Sequence, residues 1–262
     1  MTIVLHELRR SKTSLIIWSS VISFMLAITI IIYPEMAAAM DEFSEMFSNM
    51  GSFSEAFSMD QLNFGEFMGY FGTECGNVLG LGGAFFAALA GVLSLAKEEK
   101  DHTAEFLFTH PISRRRVVTE KLASVASQIT ILNLAVALVC SVCIVAINVE
   151  VSPGKIFLIF LAYYIMQLEI GALTFALSAL LRSGGAVGIG IGAAFGFYFI
   201  NIFANLMEEL EFLKFITPFG YTDAAYIISE GTLDFKYMAV GVVLSAIAVF
   251  FAYHKYEKKD LS

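Results

Sequence analysis

The sequence predicts an all-α integral membrane protein with six transmembrane helices and both termini in the cytoplasm. Three observations carry this expectation. The chain of 262 residues is 58% hydrophobic and 15% charged, whereas soluble domains run at about 45–50% and about 25%. Six long, charge-poor runs cover about 15–33, 70–96, 122–147, 156–181, 186–206 and 237–253, each near the roughly 20 apolar residues needed to cross hydrocarbon. Thirteen of the sixteen Lys and Arg fall on the side shared by the two termini, and only Lys155, Lys214 and Lys236 fall on the other. The thirteen mark the cytoplasm. The chain reads as one membrane domain, 1–262, embedded in a lipid bilayer.

The elements follow in order. In the first dozen residues Ile3, Val4, Leu5 and Leu8 alternate with His6, Glu7, Arg9 and Arg10, which predicts a short amphipathic helix in the cytoplasmic interface. Ala37, Ala38 and Ala39 resemble a signal cleavage site. The apolar run before them, however, exceeds the roughly 7–15 residues of a signal core, so it is a retained span. The outer stretch 34–69 has no Lys or Arg, and its Met36, Met40, Phe43, Met46, Phe47 and Met50 recur at helical spacing. An amphipathic helix on the outer surface fits this better than a Cu(I) site, because no His or Cys joins the thioethers.

Two spans carry small residues at every fourth position: Gly72, Gly76, Gly80, Ala84 and Ala88 in the second, Gly184, Gly188, Gly192 and Gly196 in the fifth. Such stripes let helix backbones approach closely in lipid. Glu169 lies inside the fourth span. An ionisable side chain at that depth is costly and is a functional candidate by default; Asn133, Asn201 and Asn205 are its possible partners, while Gln167 points elsewhere on an ideal helix. The outer stretch 207–236 holds Pro218, Gly220 and Gly231 between apolar pieces. It predicts two short re-entrant helices whose backbone must be buried against protein or water. Cys140 and Cys143 form C-x-x-C inside an apolar helix, so with Cys75 they read as packing residues rather than redox or metal ligands.

Much chemistry is missing. Lys12-Thr13, the one Lys-Thr pair, lacks the upstream glycine of a phosphate-binding loop, and neither H-E-x-x-H nor G-x-S-x-G occurs. No catalytic residue, metal ligand set or cofactor is expected in this chain. No basic surface is broad enough for nucleic acid.

One polar island, 97–121, separates the second and third spans. It contains, in order, Glu98-Glu99, Thr103, Glu105, Leu107, Pro111-Ile112-Ser113-Arg114 and Lys121. This resembles the first cytoplasmic loop of ABC-2 type transporter permeases, with His102 where that family usually has Gly. Thr217-Pro218-Phe219-Gly220-Tyr221, Glu230-Gly231 and the ending Tyr256-Glu257-Lys258-Lys259-Asp260-Leu261 resemble the same family. The resemblance implies the membrane subunit of a bacterial ABC exporter in the cytoplasmic membrane. It would pair with a second permease, the same or a related chain, and engage two copies of a cytoplasmic ABC ATPase that carry ATP and Mg. The island would then be a coupling helix seated in a cleft of the ATPase. Phe106, Leu107 and Phe108 offer an apolar anchor; Glu98, Glu99, Glu105, Arg114, Arg115 and Arg116 offer a charged rim. Pro111 would turn the chain back, and Arg182 in the next cytoplasmic turn would be a second contact. The rival readings are a secondary transporter with Glu169 as proton relay and a membrane enzyme built on Glu98 and His102.

Overall fold

The computed structural model describes residues 2–48, 62, 65–100, 113–181 and 185–258. Among them every regular element is helical. Helix α1 runs from Thr2 to Ser48 and contains Pro34. The second span is built of α2 (Phe67–Glu74), a π-helical turn (Cys75–Gly80) and α3 (Leu81–Lys100). Then come α4 (Arg114–Ile147), α5 (Pro153–Ser178) and α6 (Ala186–Leu206). A 3-10 helix (Glu208–Phe215), a short α7 (Ala224–Glu230) and α8 (Phe235–Glu257) complete the chain. Six helices are long and apolar enough to cross a membrane: Ile3–Glu35, Phe67–Ala96, Arg114–Ile147, Pro153–Ser178, Ala186–Leu206 and Phe235–Glu257.

The helix ends obey local chemistry. The Ser113 hydroxyl accepts from Arg116 N–H, the Asp223 carboxylate from Ala225 N–H at 2.9 Å and the Asp234 carboxylate from Lys236 N–H at 3.0 Å. Each satisfies an amide that a helix start otherwise leaves orphaned. Pro153 begins α5, where its missing N–H costs nothing. Asn148 ends α4 and Gly231 ends α7, both with positive φ.

One expectation changes. Residues 2–12 are helical, but as the first turns of α1 rather than as a separate interface element. No Gly or Pro interrupts them before the span, and Ser11, the small polar residue there, returns its hydroxyl to the Glu7 carbonyl at 2.8 Å. The helix therefore has no reason to break. The outer stretch 207–236 does contain two short helices, and the residues between them are buried from Thr217 to Thr222.

The closest packing joins α3 to α5 and α1 to α4. A Cβ on Gly91 would stand 2.4 Å from the Gly171 carbonyl and 2.3 Å from the Thr174 hydroxyl, and one on Gly171 would stand 2.9 Å from Ile129. Small residues thus bring three backbones together, where lipid supplies no hydrophobic drive and contact alone holds helices. The second-span stripe lies in this interior: Gly76 and Gly80 abut Tyr163, Gly72 abuts Ala224 of α7, and Ala84 and Ala88 are buried. The fifth-span stripe behaves differently. Gly188, Gly192 and Gly196 meet nothing within 4 Å, and α6 packs through Gly190, set against Val92 and Ala88. Gly184 lies outside the described residues.

This contrast yields a stability test. Gly91→Val is expected to destabilise the protein by about 1–3 kcal/mol or more through overpacking. Gly154→Ala, in open space, should stay within about 0.5 kcal/mol. Thermal unfolding in detergent micelles compares the two.

Candidate functional site

Two polar regions interrupt the apolar bundle. The first is carried by α5, whose Tyr163, Gln167 and Glu169 are all buried. Gln167 is 0% exposed. Its Oε1 accepts from Asn133 Nδ2 at 2.7 Å and its Nε2 donates to the Leu79 carbonyl at 3.4 Å. Leu79 belongs to the π turn, which is marked by Leu81 N–H bonding back to the Gly76 carbonyl, five residues earlier. The Gln167 amide lies against the backbone at Gly83, where a Cβ would come within 2.1 Å. One amide therefore ties the second, third and fourth spans at a point where the helix is wound more widely than usual, a place such turns often mark function. Asn133, an expected partner of Glu169, is committed to Gln167. A primary amide in the middle of an apolar span was the signal for Gln167, because at that depth it must find partners.

Glu169 is 3% exposed and its carboxylate presses on the backbone of α8, with both oxygens within 2.7 Å of where a Gly241 Cβ would sit. Among the described residues neither oxygen has a hydrogen-bond partner, and the same holds for the Tyr221 and Ser245 hydroxyls. The Tyr221 hydroxyl is near enough to sense the carboxylate: burial first, then Glu169, push it above the usual tyrosine range. The pair nonetheless stops short of hydrogen-bond geometry. Tyr163 anchors the same outer segment by donating to the Thr222 carbonyl at 3.2 Å.

Two cavities open beside this layer. One of about 80 Å³ lies among Gly76, Asn77, Tyr163, Tyr198 and Thr222; one of about 200 Å³ lies among Glu211, Lys214, Tyr221, Asp234 and Tyr237. Asn201 and Asn205 of α6 line both. They give both cavities a polar lining and do not bond Glu169.

The second region sits where the two ends of the described chain meet. Lys121 Nζ donates to the Ser94 carbonyl at 2.7 Å and to Glu7 Oε1 at 3.2 Å. Glu120 accepts from Ile3 N–H and from Arg116 Nε, each at 2.9 Å. Arg114 donates to the Glu257 and Tyr256 carbonyls at the end of α8, and Arg115 pairs with the Glu257 carboxylate. Those arginines thus have partners within the chain, and Arg115 and Arg116 remain largely exposed.

Glu98 and Glu99 fall in the last turn of α3, and their side chains lie outside the described residues. Thr103, Glu105, Phe106, Leu107, Phe108, Pro111 and Arg182 lie wholly outside them. Among the described residues no three His, Cys, Asp or Glu gather as metal ligands. Cys75 and Cys140 are buried thiols and Cys143 is half-buried.

A family model for ABC-2 family transporter proteins matches residues 1–261. No curated protein matches the chain.

The Glu169 layer predicts opposite outcomes for two substitutions. Gly241→Leu, which drives a side chain into the carboxylate, should destabilise by about 1–3 kcal/mol. Glu169→Gln, which removes a carboxylate without a partner, should leave stability unchanged or raise it by up to about 3 kcal/mol. Thermal unfolding of both variants in the same micelles provides the comparison.

Proposed function

The chain belongs to the ABC-2 transporter family, and from that premise we propose that it is the permease subunit of an ATP-driven exporter in a bacterial cytoplasmic membrane. One observation carries the reading: the family model matches residues 1–261, a stretch that contains six helices long and apolar enough to cross a membrane. ATP and Mg then belong to a separate ATPase, two copies per transporter. A proton-driven transporter built on Glu169 alone is the reading that family membership displaces.

The island between α3 and α4 supports the coupling role. Its apolar centre, Phe106, Leu107 and Phe108, suits a cleft, and its flanking charges suit a rim. Closure of the ATPase pair on ATP would move it as a rigid body. A second permease, identical or related, finds a matching surface on α6. There Gly188, Gly192 and Gly196 leave a shallow open groove beside the exposed rings of Phe195, Phe199 and Phe203, the combination that lets membrane helices of two chains approach. Substrate would pass the polar surface that Asn201 and Asn205 present to the two cavities.

The purified chain should show no ATP hydrolysis, and a co-encoded ATPase should co-purify with it. Replacing Phe106, Leu107 and Phe108 together by Ala should weaken that association by at least about 30-fold, as expected for an interface anchor. Unchanged assembly and unchanged stimulation of ATP turnover would refute the docking assignment.

A further inference from the structure

Lys121 is a cation with 1% exposure, and its bonds link its own helix, α4, to two others. Its ammonium bonds the Ser94 carbonyl of α3 at 2.7 Å and Glu7 of α1 at 3.2 Å. A buried ammonium is kept only where partners compensate its lost hydration, and removing one partner leaves the charge stranded. Ser94 and Lys121 flank the island on its two sides, so this bond closes the loop at its base. Glu7 adds the third helix.

The attachment of α1 is double. Ile3 and Glu7 stand one turn apart on α1, hence on one face. Ile3 N–H donates to Glu120 and Glu7 accepts from Lys121, two consecutive residues of α4. From there α1 remains helical through Pro34 to Ser48, about 60 Å at 1.5 Å per residue. Its outer part is bonded in turn to the second span: the Tyr33 hydroxyl donates to the Gly65 carbonyl at 2.7 Å, and the Tyr70 hydroxyl to the Thr29 carbonyl at 3.3 Å.

We propose that Lys121 and Glu7 are positioning residues that pass movement of the island directly into α1, so that the first span is driven from the loop's base in parallel with the second. The proposal rests on the coupling role assigned to the island above. The bonds at the base tie α1 to the start of α4, the helix that follows the island, whereas the route through α3 must cross the π turn at Cys75–Gly80.

The test uses the full chain assembled with its co-encoded ATPase in lipid nanodiscs, with Cys75, Cys140 and Cys143 replaced by Ala. Spin labels on Ile32→Cys and Phe235→Cys, both exposed positions, report the distance between α1 and α8. Labelled chain is diluted with unlabelled chain so that each complex carries one labelled protomer. Pulsed EPR is recorded without nucleotide and with ATP and vanadate. The unsubstituted Lys121/Glu7 chain should show a nucleotide-dependent shift. Lys121→Met and Glu7→Met should keep assembly and ATP turnover within about twofold while losing the shift, and Lys121→Arg and Glu7→Gln, which retain a donor and an acceptor for this bond, should keep it. A shift that survives in both Lys121→Met and Glu7→Met overturns the proposal. So does a Glu7→Met variant that behaves normally while Lys121→Met fails to assemble, because the defect is then one of folding. If no ATPase assembles even with Lys121 and Glu7 intact, the exporter reading falls and this proposal with it.

Discussion

The contact that organises the bundle is the near-touching of α3 and α5. Gly91 admits the Gly171 carbonyl and the Thr174 hydroxyl, and Gly83 admits the Gln167 amide. Without side chains at those glycines the two helices approach to backbone contact; with them, they could not. Everything else is arranged around that pair. Helix α4 joins through Asn133 and Ile129, α6 lies on the far side of α3 through Gly190, and α8 leans on α5 at Gly241. In lipid, where apolar surface gains nothing by leaving the solvent, such close approach and a few well-matched polar bonds replace the hydrophobic effect as the source of specificity.

The charged residues divide by position. Those at the end where the chain termini meet are satisfied by one another and by carbonyls at helix ends, and they join α1, α3, α4 and α8. The buried acid, Glu169, has no hydrogen-bond partner among the described residues. One end of the molecule therefore has defined electrostatic partners, while the centre holds a costly buried carboxyl group.

Much of this was legible in the residues. Length and hydropathy predict all six spans, because crossing hydrocarbon sets a minimum that no fold can evade. The caps at Ser113, Asp223 and Asp234 are local chemistry that the structure shows. Three things were not legible. The continuity of residues 2–12 with the first span depends on the absence of a breaker there, and an amphipathic pattern masks an absence. The two glycine stripes share a spacing, yet one is interior and the other open; spacing tells that a face is small, not what it meets. The π turn has no local signature in Cys75-Gly76-Asn77-Val78-Leu79-Gly80, because the side chain that bonds its Leu79 carbonyl comes from residue 167. For the same reason the neighbours of Glu169 could not be guessed: Gly241 is an unremarkable glycine until a carboxylate is found against it.

The knot of Asn133, Gln167 and Leu79 also bears on how the protein is made. Helix α5 carries both Gln167 and Glu169, and the mean hydropathy of its most apolar 18 residues, 1.9, is below the 2.6 of the corresponding stretch of α4. Synthesised as a lone segment it would enter the bilayer with an amide and a carboxylate facing lipid. Helix α4 emerges first, and only residues 148–152 separate it from α5. Paired with α4 across that short connection, α5 holds the Gln167 amide on the Asn133 amide inside the bundle instead of presenting it to lipid.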